Sequence, residues 1–132
     1  MNPRIYLLMQ VVSNILNNAV KFIKEKEDGS GADQGEGEGE GEERQITIVT
    51  QIGVEKGEED NKLIVRIIDN GQGIDPEVIP RLFTKFATKS FDGTGLGLYI
   101  CKNIIEAHSG KIWAENNKEG KGATFSFSLP LP

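Results

Sequence analysis

Two pairs of closely spaced β-strands constrain the fold of this chain more than any other feature. Alternating apolar residues predict strands at 46–54, 62–69, 111–116 and 122–129, with turns at 57–61 and 117–121. Strands joined by such short turns favour antiparallel hairpins over β-α-β crossovers. Apolar residues with helical spacing predict helices at 4–26, 76–83 and 96–110. This order predicts an α+β fold, a two-layer α/β sandwich with a mostly antiparallel mixed sheet and helices on one face.

The negative charge of the chain is concentrated in one segment. Residues 28–43, DGSGADQGEGEGEGEE, hold seven acids, six glycines and no base. The whole chain has a net charge of −5, but the residues outside this segment include 13 acids and 15 bases. Alternating Gly and Glu bury almost no apolar surface and repel one another, so the segment is predicted to be a disordered, solvated loop. A docking site for a basic partner is the alternative.

Length and composition set the class of protein. With 132 residues, a single domain spanning 1–132 is expected. The single cysteine, Cys101, excludes an internal disulfide. Apolar runs stay shorter than the roughly 18–20 residues that cross a bilayer, and the N-terminus lacks a signal-peptide pattern. The domain is therefore expected to be cytoplasmic, without direct membrane contact and without nucleic acid as a partner, whereas its parent protein can be membrane-anchored.

The first predicted helix carries a polar stripe made of Asn14, Asn18 and Lys21. Their spacing of four and three residues places them on one face, and the apolar residues are expected on the opposite side. A solvated face is one interpretation. However, Asn is a poorer helix former than the Glu, Lys and Gln typical of solvated faces, which suggests a use. An amide oxygen suits Mg²⁺, and a lysine one turn later suits phosphate.

Two glycine-rich stretches allow either a structural or a ligand-binding interpretation. DNGQGI, residues 69–74, ends a predicted strand and is either a simple turn or a site where Asp69 and a close backbone meet a ligand. GTGLGL, residues 93–98, is either a hinge or the start of a helix whose free N–H groups face phosphate. Lys85 and Lys89 lie just upstream and fit an anionic ligand.

Together these motifs resemble the ATP-binding domain that histidine kinases share with gyrase B, MutL and heat-shock chaperone ATPases, the GHKL superfamily with the Bergerat fold. The matching segments are QVVSNILNNAVKF (10–22, N box), DNGQGI (69–74, G1 box), RLFTKF (81–86, F box), GTGLGL (93–98, G2 box) and GKGATFSFSLP (120–130). The motifs stand in the order of the family and cover nearly the whole chain. The resemblance implies the Bergerat fold, ATP and Mg²⁺ as cofactors, and an ATP lid at about 75–95.

The resemblance also assigns roles to individual residues. Asn18 would ligate Mg²⁺, and Asn14, one turn earlier, would assist directly or through water. Asp69 would accept a hydrogen bond from the adenine amino group, and Gly71 and Gly73 would let the chain pass under the base. The other residues implied to bind ATP are Lys21, Phe22, Ile74, Lys85, Lys89, Thr94, Gly95, Leu96, Gly97, Leu98 and Thr124.

The residue type at position 14 favours phosphoryl transfer over hydrolysis as the predicted activity. Hydrolytic relatives such as gyrase place a glutamate general base there, and Asn14 cannot take up a proton. His108 in EAHSG resembles a structural histidine of the family, so the chain contains no candidate phosphoacceptor. The family domain also normally begins with strand material before the N box. The chain is therefore predicted to be a fragment that lacks the N-terminal strand.

These inferences predict the catalytic ATP-binding domain of a histidine protein kinase in two-component signal transduction. It would deliver the γ-phosphoryl group of ATP to a histidine on a separate dimerisation domain of the same parent, with a response regulator downstream. Two alternatives stay open. One is a GHKL-type protein serine kinase, and the other is a non-catalytic nucleotide-sensing module.

Overall fold

The computed structural model describes residues 3–29, 43–54, 61–86 and 96–131, and for residues 22–29 it describes the backbone alone. The helices are α1, Pro3–Gly29, and α2, Gly97–Ala107; the strands are β1, Ile46–Gly53, β2, Lys62–Asp69, β3, Lys111–Asn116, and β4, Ala123–Pro130. The strands form one sheet in the order β1-β2-β4-β3. The predicted two-layer α+β sandwich is confirmed, and every pair among the described strands is antiparallel rather than mixed.

Both predicted loops between the early elements fall mainly outside the described residues. α1 continues to Gly29, so the helix passes the predicted start of the acidic segment at residue 28. Residues 30–42 of that segment, and 57–60 of the predicted turn, lie outside the described residues. β1 is an edge strand of the described sheet, and the missing N-terminal strand stays a prediction. In the part of the chain that the structure describes, no helix is long and apolar enough to cross a membrane.

The core lies between the sheet and the two helices. Ile15 of α1, Cys101 and Ile105 of α2 and Phe125 of β4 are all fully buried in it. Full burial of a large apolar side chain stabilises a fold by about 1.5–3 kcal/mol. Because successive residues of a strand face opposite sides, Ser126 next to Phe125 lies on the other face of the sheet. The α1–α2 layer packs on the face that carries Phe125, in agreement with the predicted helices on one face of the sheet.

The predicted helix at 76–83 is wrong, because only a 3₁₀ turn forms there, Ile79–Arg81. Its bonds span three residues, from Arg81 N–H to the Val78 carbonyl (2.9 Å) and from Leu82 N–H to the Ile79 carbonyl (3.2 Å). Pro80 has no N–H to donate, so a regular α-helix cannot continue through it. Leu82 is 1% exposed and fixes the end of this segment to the core.

The end of α2 also differs from the prediction, which placed Gly110 as the terminating residue. The helix ends at Ala107, and Ser109 adopts the left-handed conformation with φ 65°. The Gly110 N–H donates to the Ile105 carbonyl at 2.9 Å. A Cβ on Gly110 would lie 2.1 Å from the Ser128 carbonyl oxygen. Glycine is needed at position 110 because the chain passes close to β4, rather than because of its backbone angles.

Part of the predicted apolar face of α1 is exposed. Ile5 and Met9, both in the predicted apolar set, are 52% and 56% exposed. α1 has 27 residues and α2 has 11, so at 1.5 Å per residue they span about 40 Å and about 16 Å. The shorter α2 cannot cover the full length of α1. Among the α1 side chains that the structure describes, the buried ones are Val11, Ile15, Asn18 and Ala19, and all four lie in the N box.

Candidate functional site

Asn18 lies on the buried face of α1. It follows Val11 by seven residues and Ile15 by three, so the three side chains share that face, and Asn18 is only 2% exposed. The expectation that the polar stripe lies opposite the apolar residues is therefore wrong. The Asn18 Nδ2 group donates to the Asn14 carbonyl at 3.3 Å. Lys21, the last residue of the stripe, is half-buried one turn further along.

The side-chain oxygen of Asn18, Oδ1, indicates a ligand-binding role. Its Oδ1 atom is buried and accepts no hydrogen bond from the described residues. An unsatisfied buried acceptor costs about 1–3 kcal/mol, so proteins rarely keep one without a use. A neutral amide oxygen is a suitable ligand for Mg²⁺, which takes few protein ligands. Within the described ranges, no cluster of three or more His, Cys, Asp or Glu side chains could hold a metal ion.

Asn14 connects α1 to α2. Its half-buried side chain is hydrogen-bonded to Cys101 Sγ, and the thiol itself donates its one proton to the Val11 carbonyl at 3.8 Å. Burial raises the pKa of the Cys101 thiol to about 11, although the hydrogen bond with Asn14 opposes the rise. An amide cannot act as a general base at this position. The contact instead ties the N box to the helix that begins at the G2 box.

The raised pKa of Cys101 predicts a specific loss of stability at high pH. Below the ordinary thiol pKa of about 8.5, both the folded and the unfolded chain keep the proton. As the pH rises towards 11, the unfolded thiol ionises while the folded one does not, so the unfolded state is favoured. We expect the free energy of unfolding, measured by urea denaturation, to fall more steeply in this range for the wild type than for Cys101→Ala. Identical slopes for the two proteins would contradict the assignment.

Asp69 is a buried carboxylate at the C-terminal end of β2. It is 1% exposed and alternates with Ile67, so it faces the helix layer. Its Oδ1 atom accepts the N–H groups of Gly71 at 2.9 Å and Ala123 at 3.3 Å. Two backbone N–H donors on one oxygen fix the orientation of a carboxylate. Asp69 is therefore a rigid, buried acceptor on the same side of the sheet as α1.

The chain around Asp69 is held by neighbouring amide groups. Asn70 bonds to the segment before β1, donating to the Glu43 carbonyl at 2.5 Å and accepting the Gln45 N–H at 2.9 Å. From the other side, Asn117 donates to the Asp69 carbonyl at 2.9 Å. The DNGQGI stretch is thus a turn, as expected, but its shape depends on residues far away in sequence.

Two glycines allow the DNGQGI turn to meet the β3–β4 turn. Gly73 has φ +86°, and a Cβ there would lie 3.0 Å from Asn116 Oδ1. Gly122 has φ +97°, and a Cβ there would lie 2.0 Å from the Asp69 carbonyl oxygen. A cavity of about 340 Å³ lies between the two turns, with the Asn116 and Asn117 amides in its wall. The predicted role of Gly73 under the base stays a prediction, and its observed neighbour is an asparagine.

Residues implied to contact phosphate are only partly described. The Lys85 ammonium lies 5.2 Å from the centre of the Tyr99 ring on α2. Leu96 precedes the first turn of α2 and Gly97 begins it, while the side chain of Leu98 is 3% exposed in the core. The start of a helix at the G2 box is confirmed. Lys89, Thr94 and Gly95 lie outside the described residues, as does the side chain of Phe22.

The structure adds three residues that the sequence prediction did not select. Asn116 and Asn117 lie at the end of β3, and Gly122 lies just before β4. Thr124, which was selected, donates from Oγ1 to the Asn117 Oδ1 atom at 2.6 Å. The only sequence pattern that could have indicated these residues is a pair of asparagines at a strand end, followed by Gly-Lys-Gly. That pattern is common in ordinary hairpin turns, so it does not indicate a site without the structure.

Residues 5–132 match the family of histidine kinase-, DNA gyrase B- and HSP90-like ATPases. The chain belongs to this family. It is 34% identical over 128 residues to the phytochrome-like protein Cph1 of Synechocystis, covering 94% of this chain and 14% of that protein. The chain therefore spans only a small part of the length of this relative.

Solved structures agree with the family assignment. The catalytic domain of the histidine kinase ThkA superposes with a TM-score of 0.65 and 31% identity, covering 95% of this chain and 66% of that one. Full-length ShkA in complex with AMPPNP superposes with a TM-score of 0.66 and 25% identity, covering 94% of this chain and 21% of that one. The fold is the α/β sandwich of histidine kinase catalytic domains.

Proposed function

We propose that this domain binds Mg-ATP and supplies the γ-phosphoryl group to a histidine on a separate dimerisation domain of its parent protein. The observation that carries the proposal is the buried Asn18 Oδ1 atom, which has no acceptor role within the described residues. It occupies the position where the family resemblance implies a Mg²⁺ ligand. Keeping such an atom buried costs stability, which fits a residue retained for binding.

Asp69 and the turn that follows would recognise the base. A buried carboxylate whose Oδ1 atom accepts two backbone N–H groups is held in a fixed orientation. It is therefore a suitable acceptor for the amino group of adenine. A site built to hydrogen-bond an amino group rejects analogues that lack it, because the buried acceptor is then left without a donor. Phe22 and Ile74 are proposed to lie beside the nucleotide, as the family resemblance implies.

The phosphates would lie between α1 and the start of α2. The first N–H groups of a helix are unpaired within the helix and carry partial positive charge, which favours phosphate. Gly97 and Leu98 begin α2, so their backbone is proposed to contact the phosphates together with Thr94, Gly95 and Leu96. Lys21, Lys85 and Lys89 would add positive charge. A Mg²⁺ ion held by Asn18 would neutralise charge on the transferring phosphoryl group.

The absence of a carboxylate at position 14 favours transfer over hydrolysis. The Asn14 side chain is bonded to Cys101 and has no basic group to activate water. Phosphoryl transfer depends mainly on positioning and charge neutralisation, which these residues would supply. The acceptor would be a protein histidine, and the phosphoryl group would pass on to a response regulator. We place this activity in the cytoplasm.

Phosphoryl transfer to a separate histidine-bearing dimerisation domain tests the proposal. The chain would be mixed with such a domain, γ-labelled ATP and Mg²⁺, and a domain whose acceptor histidine is changed to alanine is the matched control. Label that is lost in acid, kept in base and absent from the control is the expected result. Acid-stable label would indicate a serine kinase instead. Nucleotide binding without transfer of the labelled phosphoryl group would favour the alternative of a non-catalytic nucleotide-sensing module.

A further inference from the structure

Two neighbouring side chains at the end of β3, Asn116 and Asn117, hold both ends of the DNGQGI turn. Asn116 Nδ2 donates to the Ile74 carbonyl at 2.8 Å, and Asn116 Oδ1 accepts the Ile74 N–H at 2.7 Å. Asn117 Nδ2 donates to the Asp69 carbonyl at 2.9 Å. Asp69 is the first residue of the turn and Ile74 the last. The turn is therefore bonded at both ends by the last residue of β3 and the residue after it, both more than 40 positions away in sequence.

The contacts leave little room for the turn to shift. A Cβ on Gly73 would already crowd Asn116 Oδ1 at 3.0 Å. On the other side, the β3–β4 turn meets the main chain of Asp69 so closely that only a glycine fits at position 122. Ile74 is 7% exposed and packs into the core, so it cannot follow a displaced turn without disturbing that packing. The position of the Asp69 carboxylate is thus coupled to the two amides.

Asn117 also reaches the residues that follow the β3–β4 turn. Its Oδ1 atom accepts the Thr124 hydroxyl at 2.6 Å, and its Nδ2 group donates to the Lys121 carbonyl at 2.8 Å. The N–H of Ala123, next to Thr124, donates to Asp69 Oδ1 at 3.3 Å. One amide therefore joins the main chain of Asp69 to the strand that orients its carboxylate.

We propose that Asn116 and Asn117 are positioning residues that set the preference of the site for adenine over purines without an amino group. They act through Asp69, whose carboxylate they hold at a fixed place relative to the base. This proposal rests on the proposed recognition of adenine by Asp69. Neither amide needs to touch the nucleotide, since each acts on the main chain at one end of the turn.

Single-atom changes test the proposal. Asn116→Asp and Asn117→Asp each replace the donating NH₂ group by an oxygen, which then faces a carbonyl oxygen of Ile74 or Asp69. Asn103→Asp, on the exposed face of α2, makes the same chemical change away from the site. For each full-length chain, the Kd of Mg-ATP is compared with that of the Mg complex of purine riboside triphosphate, which lacks the 6-amino group. Because one preparation binds both ligands, the ratio does not depend on the folded fraction.

We expect the wild type and Asn103→Asp to share one ratio in favour of ATP. Asn116→Asp and Asn117→Asp should lower this ratio about three- to tenfold, as expected for one weakened hydrogen bond. Equal losses for both ligands would overturn the proposal, because a general structural defect leaves the ratio unchanged. A wild type that does not distinguish the two ligands would instead overturn the adenine role of Asp69, and with it this proposal. If one variant does not fold, the other decides, and Asn116→Ser and Asn117→Ser give the same ratio test.

Discussion

Replacing Gly122 with alanine is expected to abolish nucleotide binding and to lower the free energy of unfolding by about 2–5 kcal/mol. The new Cβ would lie 2.0 Å from the Asp69 carbonyl oxygen and 2.7 Å from the Asn70 Cα atom. Both are main-chain atoms of the DNGQGI turn, so no flexible side chain can move aside. The turn itself must shift, and with it the carboxylate proposed to recognise adenine.

Gly120→Ala is the matched control for this change. Gly120 has a similar φ of +83°, but a Cβ there would meet no atom within 4 Å. It should therefore cost only the strain of a left-handed alanine, about 1–2 kcal/mol, and leave nucleotide affinity nearly unchanged. Urea denaturation and calorimetric titration of both variants measure the two effects. If Gly120→Ala and Gly122→Ala lower the free energy of unfolding and the nucleotide affinity equally, the contact between the two turns does not determine either quantity.

Replacing Asn18 with leucine is expected to remove the Mg²⁺ dependence of ATP binding without destabilising the free protein. Leucine has a similar shape and removes the buried Oδ1 acceptor, although it also removes the bond to the Asn14 carbonyl. Removing the unsatisfied Oδ1 acceptor stabilises the free protein by about 1–3 kcal/mol. This gain outweighs or balances the loss of one ordinary hydrogen bond, about 1 kcal/mol. ATP affinity with Mg²⁺ should fall at least about tenfold, as for other losses around a metal site.

Asn17→Leu is the control, since Asn17 is a half-buried asparagine in the adjacent position of α1. Thermal unfolding without nucleotide and titrations with either Mg²⁺ or EDTA measure both quantities. If ATP binding by the Asn18→Leu variant still depends fully on Mg²⁺, Asn18 is excluded as the metal ligand. A strong destabilisation of the free protein would show that the asparagine is there for packing.

The sequence predicted those elements whose local pattern agrees with the final packing. The predicted strands agree with the structure within one residue, because an alternating pattern fits strands whose two faces pack differently. The segment at 76–83 has helical spacing but forms only a 3₁₀ turn, because Pro80 lacks the N–H that a regular α-helix needs there. The C-terminus of α2 differs from the prediction because Gly110 reflects the close approach to Ser128, which the sequence does not show, rather than the end of the helix.

Within the candidate site, a local sequence pattern reports only those residues that lie in one segment. Asp69 and the DNGQGI turn are contiguous, so their pattern is visible in the sequence. The sequence does not predict that Asn18 is buried, because helical spacing alone does not show which side of α1 is covered by α2 and the sheet. Asn116 and Asn117 act through contacts with residues more than 40 positions away, and no local pattern reports such contacts.

Calorimetric titration of Mg-ATP into the wild type and Asp69→Asn tests the central claim most directly. Asparagine keeps an oxygen for the Gly71 and Ala123 N–H groups but removes the charge. We predict measurable binding to the wild type and a loss of about 1.5–3 kcal/mol, roughly 10- to 150-fold, in the variant. Asp75→Asn, an equal charge change at an exposed residue, should bind like the wild type. Equal affinity of Asp69→Asn and the wild type would contradict the account.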